Sequence, residues 1–394
     1  MLLDDSTLPD VFQPTYFPRA MNLAAAKELK KSVGIPVSVV GSFDLETAER
    51  VIKNGDVDIV AMIRNVIAGG KDCVHNALVG KAAETRPCIR CNTCIDRTHS
   101  QFLAVRCAVN PTVGRETQVQ MGIHTRKSIM LVGRGPANLE AARTASKVGL
   151  AVKLFEKTDA LGGLLKTAVS MPLKSDLKKY LDWSIKQVEK DSNIMIQTNT
   201  FVTPDVVREE KPDILLVDVG GTPVILPHTT QITNRVIWAG DLELERTQVG
   251  DTVLVAGAGF SGLEIALHLS RQGKQVLVVE SSPEQIVAKR NVAISMIGIK
   301  QLLHDTGITI RYNTVLMDVT DAHAVLKEGN NSIEYFQCDA VICAQGVQPD
   351  KKQISGFEGL CPNTYVVGDG NPIHGCTLRN ATTTGYDAVM RAIN

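Results

Sequence analysis

Residues 252–280 read TVLVAGAGFSGLEIALHLSRQGKQVLVVE, and three segments of that stretch decide how the chain folds. Thr252 to Val255 is an apolar run of strand length, Leu263 to Arg271 carries apolar residues at helical spacing, and Gln275 to Val279 is a second β-branched run. Between the first two lies Gly257-Ala-Gly259-Phe-Ser-Gly262. In such a turn the first glycine permits the tight bend, the second lets backbone approach a pyrophosphate, and the third lets helix pack on strand. The amides of the helix N-terminus then face the phosphates. Glu280 closes the second strand, where a carboxylate accepts from a ribose 2′-hydroxyl and repels a 2′-phosphate, so NADH is favoured over NADPH.

The same design stands earlier in the chain. Ile129 to Val132 reads as a strand, Pro136 to Lys147 as a helix and Ala151 to Phe155 as a strand, around Gly133-Arg-Gly135-Pro-Ala-Asn138 and ending on Glu156. Asn138 replaces the third glycine, so either the helix crosses at a wider distance or the Asn side chain bonds locally. Leu161-Gly162-Gly163 adds a second flexible backbone element. Leu177 to Val188 has an apolar stripe suited to a surface helix, and Asp213 to Val217 is another strand. Gly220-Gly221 with Pro223 and Pro227 marks a turn or linker. Ala340 to Ala344 and Tyr365 to Val367 are short apolar strands. Upstream, Ile35 to Val40 runs into Gly41, Leu45 to Asn54 has helical spacing and Asp58 to Met62 is a buried-type strand, a rhythm expected of a parallel sheet or barrel. Residues 71–125 break that rhythm with polar, cysteine-bearing loop sequence.

With 394 residues, the chain has room for two or three domains. Its apolar share of 44% and charged share of 21% exclude disorder and fibrous sequence. Lys plus Arg and Asp plus Glu are both 42, a balance that argues against nucleic acid as a partner. No apolar run approaches the ~18 residues needed to span a bilayer, and the start lacks a basic leader, so no membrane partner and a cytoplasmic setting are expected. Aromatic residues are only 4%, which weakens any stacking platform for bases or sugars.

Of nine cysteines, Cys88, Cys91, Cys94 and Cys107 are crowded into one segment as C-x2-C-x2-C-x12-C, with no histidine in a zinc-finger position. Three closely spaced thiolates and one returning favour an iron–sulfur cubane, whereas zinc sites more often use two separated pairs. Zinc and free thiols remain the alternatives. Cys73, Cys338, Cys343, Cys361 and Cys376 are scattered and read as buried apolar thiols.

Arg86-Pro87-Cys88-Ile-Arg-Cys91-Asn92-Thr-Cys94-Ile, followed by Arg106-Cys107-Ala-Val-Asn110-Pro111, resembles the cluster segment of the 2,4-dienoyl-CoA reductase and trimethylamine dehydrogenase type of NADH:flavin oxidoreductase. The cysteine spacing is more similar to the trimethylamine dehydrogenase variant. The resemblance implies that the four cysteines ligate a [4Fe-4S] cluster. It also implies an FAD domain using Gly133, Gly135, Glu156, Gly162, Gly163, Gly368 and Asp369, into which an NADH domain using Gly257, Gly259, Gly262 and Glu280 is inserted. Asn138, and Asp218-Val-Gly220 where an Ala-Thr-Gly turn is usual, depart from the family on the FAD side. FAD, or ADP alone as in trimethylamine dehydrogenase, is the resulting expectation. Residues 34–70 resemble the last two strand-helix units of an FMN-binding barrel, with Arg64 where the family grips FMN phosphate and Ile63 in place of a glycine. The chain therefore reads as N-terminally truncated, with FMN expected only if a complete barrel is present.

The expected fold class is α/β: two Rossmann-like, glutathione-reductase-type domains preceded by a partial TIM-barrel remnant and a cysteine-rich cluster loop. The expected divisions are 1–72 for the remnant, 73–125 for the cluster segment, 126–235 plus 345–394 for the FAD domain, and 236–344 for the NAD(P)H domain. The expected activity passes electrons from NAD(P)H through FAD to the cluster, then to FMN and an enoyl-type acceptor, or acts as NADH oxidase. Amine dehydrogenase-type flow to a carrier protein, and a nucleotide-binding remnant without turnover, are the alternatives. Hydride transfer between cofactors requires no side-chain acid or base, so no catalytic residue is named. A small-molecule acceptor, a barrel-bearing chain or electron carrier protein, and a second copy of the chain are the expected partners.

Overall fold

The structure, a computed structural model, describes residues 5–118, 127–225, 235–242, 247–321, 323–373 and 375–393. The turn expected at Pro227 and residues 119–125 of the cysteine segment lie outside the described residues. Two compact units divide the chain: one comprises Val11–Lys166, Ser175–Thr222 and Gln348–Asn394, the other Met1–Asp10, Thr167–Lys174 and Pro223–Val347.

In the first unit, β1 (Ser38–Val40) and β2 (Ile59–Ala61) form a separate parallel pair joined by helix α1 (Leu45–Lys53). The Asp44 side chain starts α1 by accepting from the Thr47 amide at 2.9 Å, which satisfies one of the free donors of the first turn. Ala48 and Val51 on α1 then close a small core with Val37, Val39, Phe43 and Val57. The segment from residue 71 onward is less loop-like than its sequence suggests. After α2 (Ile63–Gly69) comes α3 (Asp72–Leu78), which has an acidic residue in its first turn and buries Cys73.

The glycine-rich motif then falls between β3 (Ser128–Val132) and α4 (Pro136–Lys147), followed by β4 (Ala151–Phe155). Helix α5 (Ser175–Glu189), β5 (Ile194–Gln197) and β6 (Ile214–Val217) follow. Every residue of β6 is buried, as expected for a strand covered on both faces of a parallel sheet.

The chain continues in the other unit through β7 (Val236–Trp238), β8 (Thr252–Ala256), α6 (Phe260–Arg271), β9 (Gln275–Glu280) and β10 (Thr309–Tyr312). Three strands not foreseen from the sequence come next: β11 (Thr314–Val319), β12 (His323–Glu328) and β13 (Ile333–Gln337), an antiparallel sheet. Their buried Leu316, Val319, Ala324 and Leu326 join Leu254, Leu277 and Val341 of the parallel strands in one core. β14 (Ala340–Cys343) completes a five-stranded parallel sheet of order β10-β9-β8-β14-β7.

Back in the first unit, β15 (Thr364–Val366) and α7 (Leu378–Ile393) complete a second five-stranded parallel sheet, of order β15-β6-β3-β4-β5. The two sheets share a plan. In each, the strand before the glycine turn lies between the strand after its helix and a strand that arrives later, β6 beside β3 and β14 beside β8. This reversal of strand order opens a crevice at the carboxyl ends, where ligands of such sheets bind.

Helix α7 covers α4 so closely that a Cβ at Gly385 would strike the Ala137 carbonyl oxygen. Gly385→Ala, a change that stabilises an open helix by about 1 kcal/mol, is therefore expected to destabilise this chain by about 1–3 kcal/mol. Denaturant unfolding checks the sign.

Candidate functional site: two glycine cradles and a cysteine wrap

In the cradle after β8, Gly257 has φ +115° and its amide donates to the Val279 carbonyl at 2.8 Å. A Cβ there would lie 2.5 Å from the Ala344 carbonyl oxygen, and one at Gly262 would collide with the Gly257 carbonyl. These two glycines are thus demanded by the protein's own backbone. Gly259 differs, because among the described residues, its two chain neighbours aside, a Cβ there would meet no atom within 4 Å. The space beside Gly259 is thus open, where the second glycine of the motif is expected. Glu280 lies across the turn, one carboxylate oxygen accepting from the Ala258 amide at 3.0 Å and the other from the Ser282 amide at 2.8 Å. On α6, Glu264 pairs with Lys174 at 2.5 Å.

In the cradle after β3, Gly133 has φ +101°, and a Cβ there would strike the Asp218 carbonyl oxygen. The Asn138 side chain bonds locally: its Nδ2 donates to the carbonyls of Val132 at 2.9 Å and Gly133 at 3.0 Å, while its Oδ1 is buried without a hydrogen-bond partner. Gly162 donates to the Arg134 carbonyl at 3.1 Å, and a Cβ at Gly163 would lie 3.1 Å from the Gly135 Cα. The two glycine elements therefore meet. Buried Glu156 accepts from the Thr158 amide and hydroxyl, each at 2.8 Å, with Arg134 Nε at 3.6 Å.

Gly368, at φ +65°, donates to Thr384 Oγ1 at 3.0 Å. Burial raises the neighbouring Asp369 carboxyl, against the hydrogen bond of Cys376. Cys376 is exposed, not a buried apolar thiol, because it sits in the turn that precedes α7. Cys73, Cys338, Cys343 and Cys361 are buried as expected.

The cysteine segment winds tightly, with Arg90 and Asn92 both in the left-handed region at φ +49° and +59°. Such conformations cost non-glycine residues energy and persist only when neighbours fix them. Here buried charges do so. Arg90 Nε donates to Asp176 at 2.7 Å and Arg19 Nη2 to the same carboxylate at 2.5 Å. Burial works to raise the Asp176 carboxyl, but the two guanidinium groups prevail and hold it below the ordinary range. Asn92 is held by Arg64, whose Nη1 donates to its Oδ1 at 2.5 Å and to the Gln13 carbonyl at 2.9 Å, while Nη2 donates to Ser42 Oγ. The guanidinium of Arg64 thus faces the cysteine wrap.

Cys88, Cys91 and Cys107 pack against a core of Ala68, Ile89, Val109, Tyr180 and Trp183, and Cys94 is buried. The Arg90 amide reaches Cys88 Sγ at 3.4 Å and Thr93 Oγ1 lies 3.3 Å from Cys91 Sγ. Burial pushes the Cys94 thiol up to about 12 and raises Cys88 and Cys107, with Arg64 opposing at Cys88 and Cys94. A metal would supply the charge that deprotonates such thiols. Among the described residues no group of three or more His, Cys, Asp or Glu side chains is placed to hold a metal ion. A zinc ion would need four sulfurs each at ~2.3 Å from one centre, whereas a cluster of several irons spreads its ligands.

Sequence reasoning missed the residues that secure this wrap. Arg86 reaches Glu140 of α4 at 3.1 Å, Arg143 reaches it at 2.5 Å, and Thr382 of α7 donates to the Ala108 carbonyl at 2.9 Å. Burial pushes the Glu140 carboxyl up to about 7 against the pull of Arg86. Glu140, set between Leu139 and Ala141 in the helix that follows the glycine turn, was the available signal.

Residues 127–370 match the pyridine nucleotide-disulphide oxidoreductase family. The chain belongs to that family. It is 30% identical to an NADH oxidase of Thermoanaerobacter brockii over 98% of its own length and 60% of that protein's. It is 29% identical to a cinnamate reductase of Clostridium sporogenes, over 91% of this chain and 54% of the relative. In fold it is similar to a 2-naphthoyl-CoA reductase structure, with a TM-score of 0.87 at 24% identity, covering 95% of this chain and 57% of the other. The chain thus spans little more than half the length of these relatives. They agree with the NADH:flavin oxidoreductase resemblance read from the cysteines and glycines, and the family is one of NAD(P)H-dependent flavin oxidoreductases. Among the described residues no helix is long and apolar enough to cross a membrane.

The unequal roles of the glycines are separable by mutation. Gly259→Ala is expected to leave the melting temperature within about 2 °C of the parent, because a Cβ there meets no atom of the described residues beyond its chain neighbours, while weakening NAD(P)H binding at least tenfold. Gly262→Ala, which meets backbone, is expected to lose stability by about 1–3 kcal/mol. Thermal melts beside calorimetric NADH titration check both.

Proposed function

We propose that this chain is the electron-input part of an iron–sulfur flavin oxidoreductase, with an enoyl compound of the 2,4-dienoyl-CoA kind as the final acceptor. The observation that carries the reading is the cradle after β8, open at Gly259 and floored by Glu280 held on the Ala258 amide. Glu280 there offers its carboxylate to a ribose 2′-hydroxyl, which selects NADH. Gly133, Gly135, Glu156, Gly162, Gly163, Gly368 and Asp369 would hold FAD or its ADP part, Glu156 again at a ribose. Cys88, Cys91, Cys94 and Cys107 would hold a [4Fe-4S] cluster, for which four thiols on a short, charge-fixed wrap are a suitable donor set. When bound, these groups supply the redox chemistry, a flavin taking a hydride from a nicotinamide and releasing electrons singly to an iron–sulfur cluster.

The protein's part is to position and to exclude water. The Asp176 and Arg64 hydrogen bonds fix the cysteine wrap, and the core around Tyr180 and Trp183 keeps it dry. Arg64 facing Asn92 supports a role beside the cysteines, and FMN enters the reading only with a complete barrel, whether from upstream sequence or a partner chain. A cytoplasmic setting and a homo-oligomer belong to the same reading. The reverse direction, an amine oxidised and electrons handed to a carrier protein, is the second reading, and the C-x2-C-x2-C-x12-C spacing is shared between the two.

Purified full chain should contain about four iron and four labile sulfide, and anaerobic NADH should bleach its flavin absorbance. Cys94→Ser should lose most of the iron while retaining NADH binding. Zinc in place of iron, or flavin that does not respond to NADH, would sink the reading.

A further inference from the structure

We infer that Asp218 decides what the cradle after β3 accepts: its carboxyl group sits among the glycines that would face a diphosphate, so ADP or FAD binds there only with Asp218 uncharged, and a proton is taken up with the nucleotide. The inference rests on the reading of that cradle as a nucleotide site and adds to it a residue no motif assigns.

The two sheets are internal duplicates. β6 stands to β3 as β14 stands to β8, and the residue that follows the neighbouring strand is Asp218 in one sheet and Ala344 in the other. Their main chains do the same thing, each placing its carbonyl oxygen against the first glycine of the turn, Gly133 or Gly257. Their side chains do not. Ala344 offers a methyl group, and Gly259 is left with no atom of the described residues, its chain neighbours aside, within 4 Å of a Cβ position. Asp218 instead fills the corresponding space: a Cβ at Gly135 would strike its Oδ2, and a Cβ at Gly368 would strike its Oδ1.

The carboxyl group is buried, and among the described residues its Oδ2 has no hydrogen-bond partner. The Asn138 amide in the first turn of α4 donates to it. Asp218 thus offers the helix N-terminus the anion that a phosphate would otherwise supply. Its neighbours do not neutralise it. Asp369 faces it from the turn after β15 and Glu156 from the end of β4, with Arg134 paired to Glu156 at 3.6 Å. Burial first, then Asp369, push the Asp218 carboxyl up to about 7, the Asn138 amide opposing. A diphosphate arriving beside it adds negative charge and raises it further.

The sign of the linkage follows. Below about pH 6 the free cradle already carries the proton, so affinity is flat. Above about pH 8 the proton must come from solvent, and each pH unit weakens binding about tenfold.

The test is calorimetric titration of the flavin-free full chain with ADP and with FAD between pH 6 and 9, in buffers of different ionisation heat. The parent chain should take up about one proton per nucleotide at pH 8, and its Kd should rise about a hundredfold from pH 6 to 9. Asp218→Asn and Asp218→Ala should bind at pH 9 nearly as at pH 6, with that proton uptake lost. NADH binding at the other cradle, unchanged in both variants, reports that they fold. Binding by the parent without proton uptake, or an unaltered pH slope in Asp218→Asn, would overturn the inference while leaving the nucleotide reading intact. Absence of ADP and FAD binding in parent and variants at every pH would overturn both. Should the variants not fold, proton uptake by the parent decides alone.

Discussion

One backbone contact recurs in each half of this molecule: a glycine after a central strand meets the carbonyl oxygen of the residue just past the strand beside it, Gly133 against Asp218 and Gly257 against Ala344. A Cβ at either glycine would overlap that oxygen, and the positive φ of both is one that glycine adopts without strain. With the contact made, the turn is tight enough for the following helix to aim its N-terminal amides into the crevice where strand order reverses. The cradle depends on it, and the strand order that sets β6 beside β3 and β14 beside β8 makes it possible.

Helix α4 carries this geometry from the cradle to the cysteines. Its first turn presents Asn138 to the β3 carbonyls and to Asp218, and Glu140 beside it receives Arg86 from the cysteine segment. Buried ion pairs are weak sources of net stability but costly to break one-sidedly. Their arrangement here, Arg86 and Arg143 on Glu140, Arg90 and Arg19 on Asp176, suits the fixing of a particular backbone path better than the filling of a core. That path includes the left-handed Arg90 and Asn92, which would otherwise relax.

Much of this was legible in the sequence because the strands are uniformly apolar and the glycines mark positions where backbone meets backbone. The bounds of α4 and β4 fall where periodicity puts them, and Glu280 ends its strand as read. The antiparallel strands β11 to β13 were not foreseen, since they mix buried and exposed positions over a few residues and β11 is interrupted by a register shift between Leu316 and Asp318. Helix α3 was hidden in the polar composition of the cysteine segment. At Asn138 the sequence offered two outcomes and could not choose, because local bonding depends on the β3 carbonyls lying within reach of its Nδ2. Asp218 could be seen only as a departure from a pattern. Its position inside the cradle is a three-dimensional fact, made by β6 lying next to β3.

The central proposal is that nicotinamide recognition at Glu280 and the four-cysteine wrap serve one electron path. Electron paramagnetic resonance of full chain frozen after anaerobic addition of NADH tests it most directly. The account predicts a reduced iron–sulfur signal that appears with NADH and is absent from Cys94→Ser. Bleached flavin with no such signal in the parent chain would contradict it.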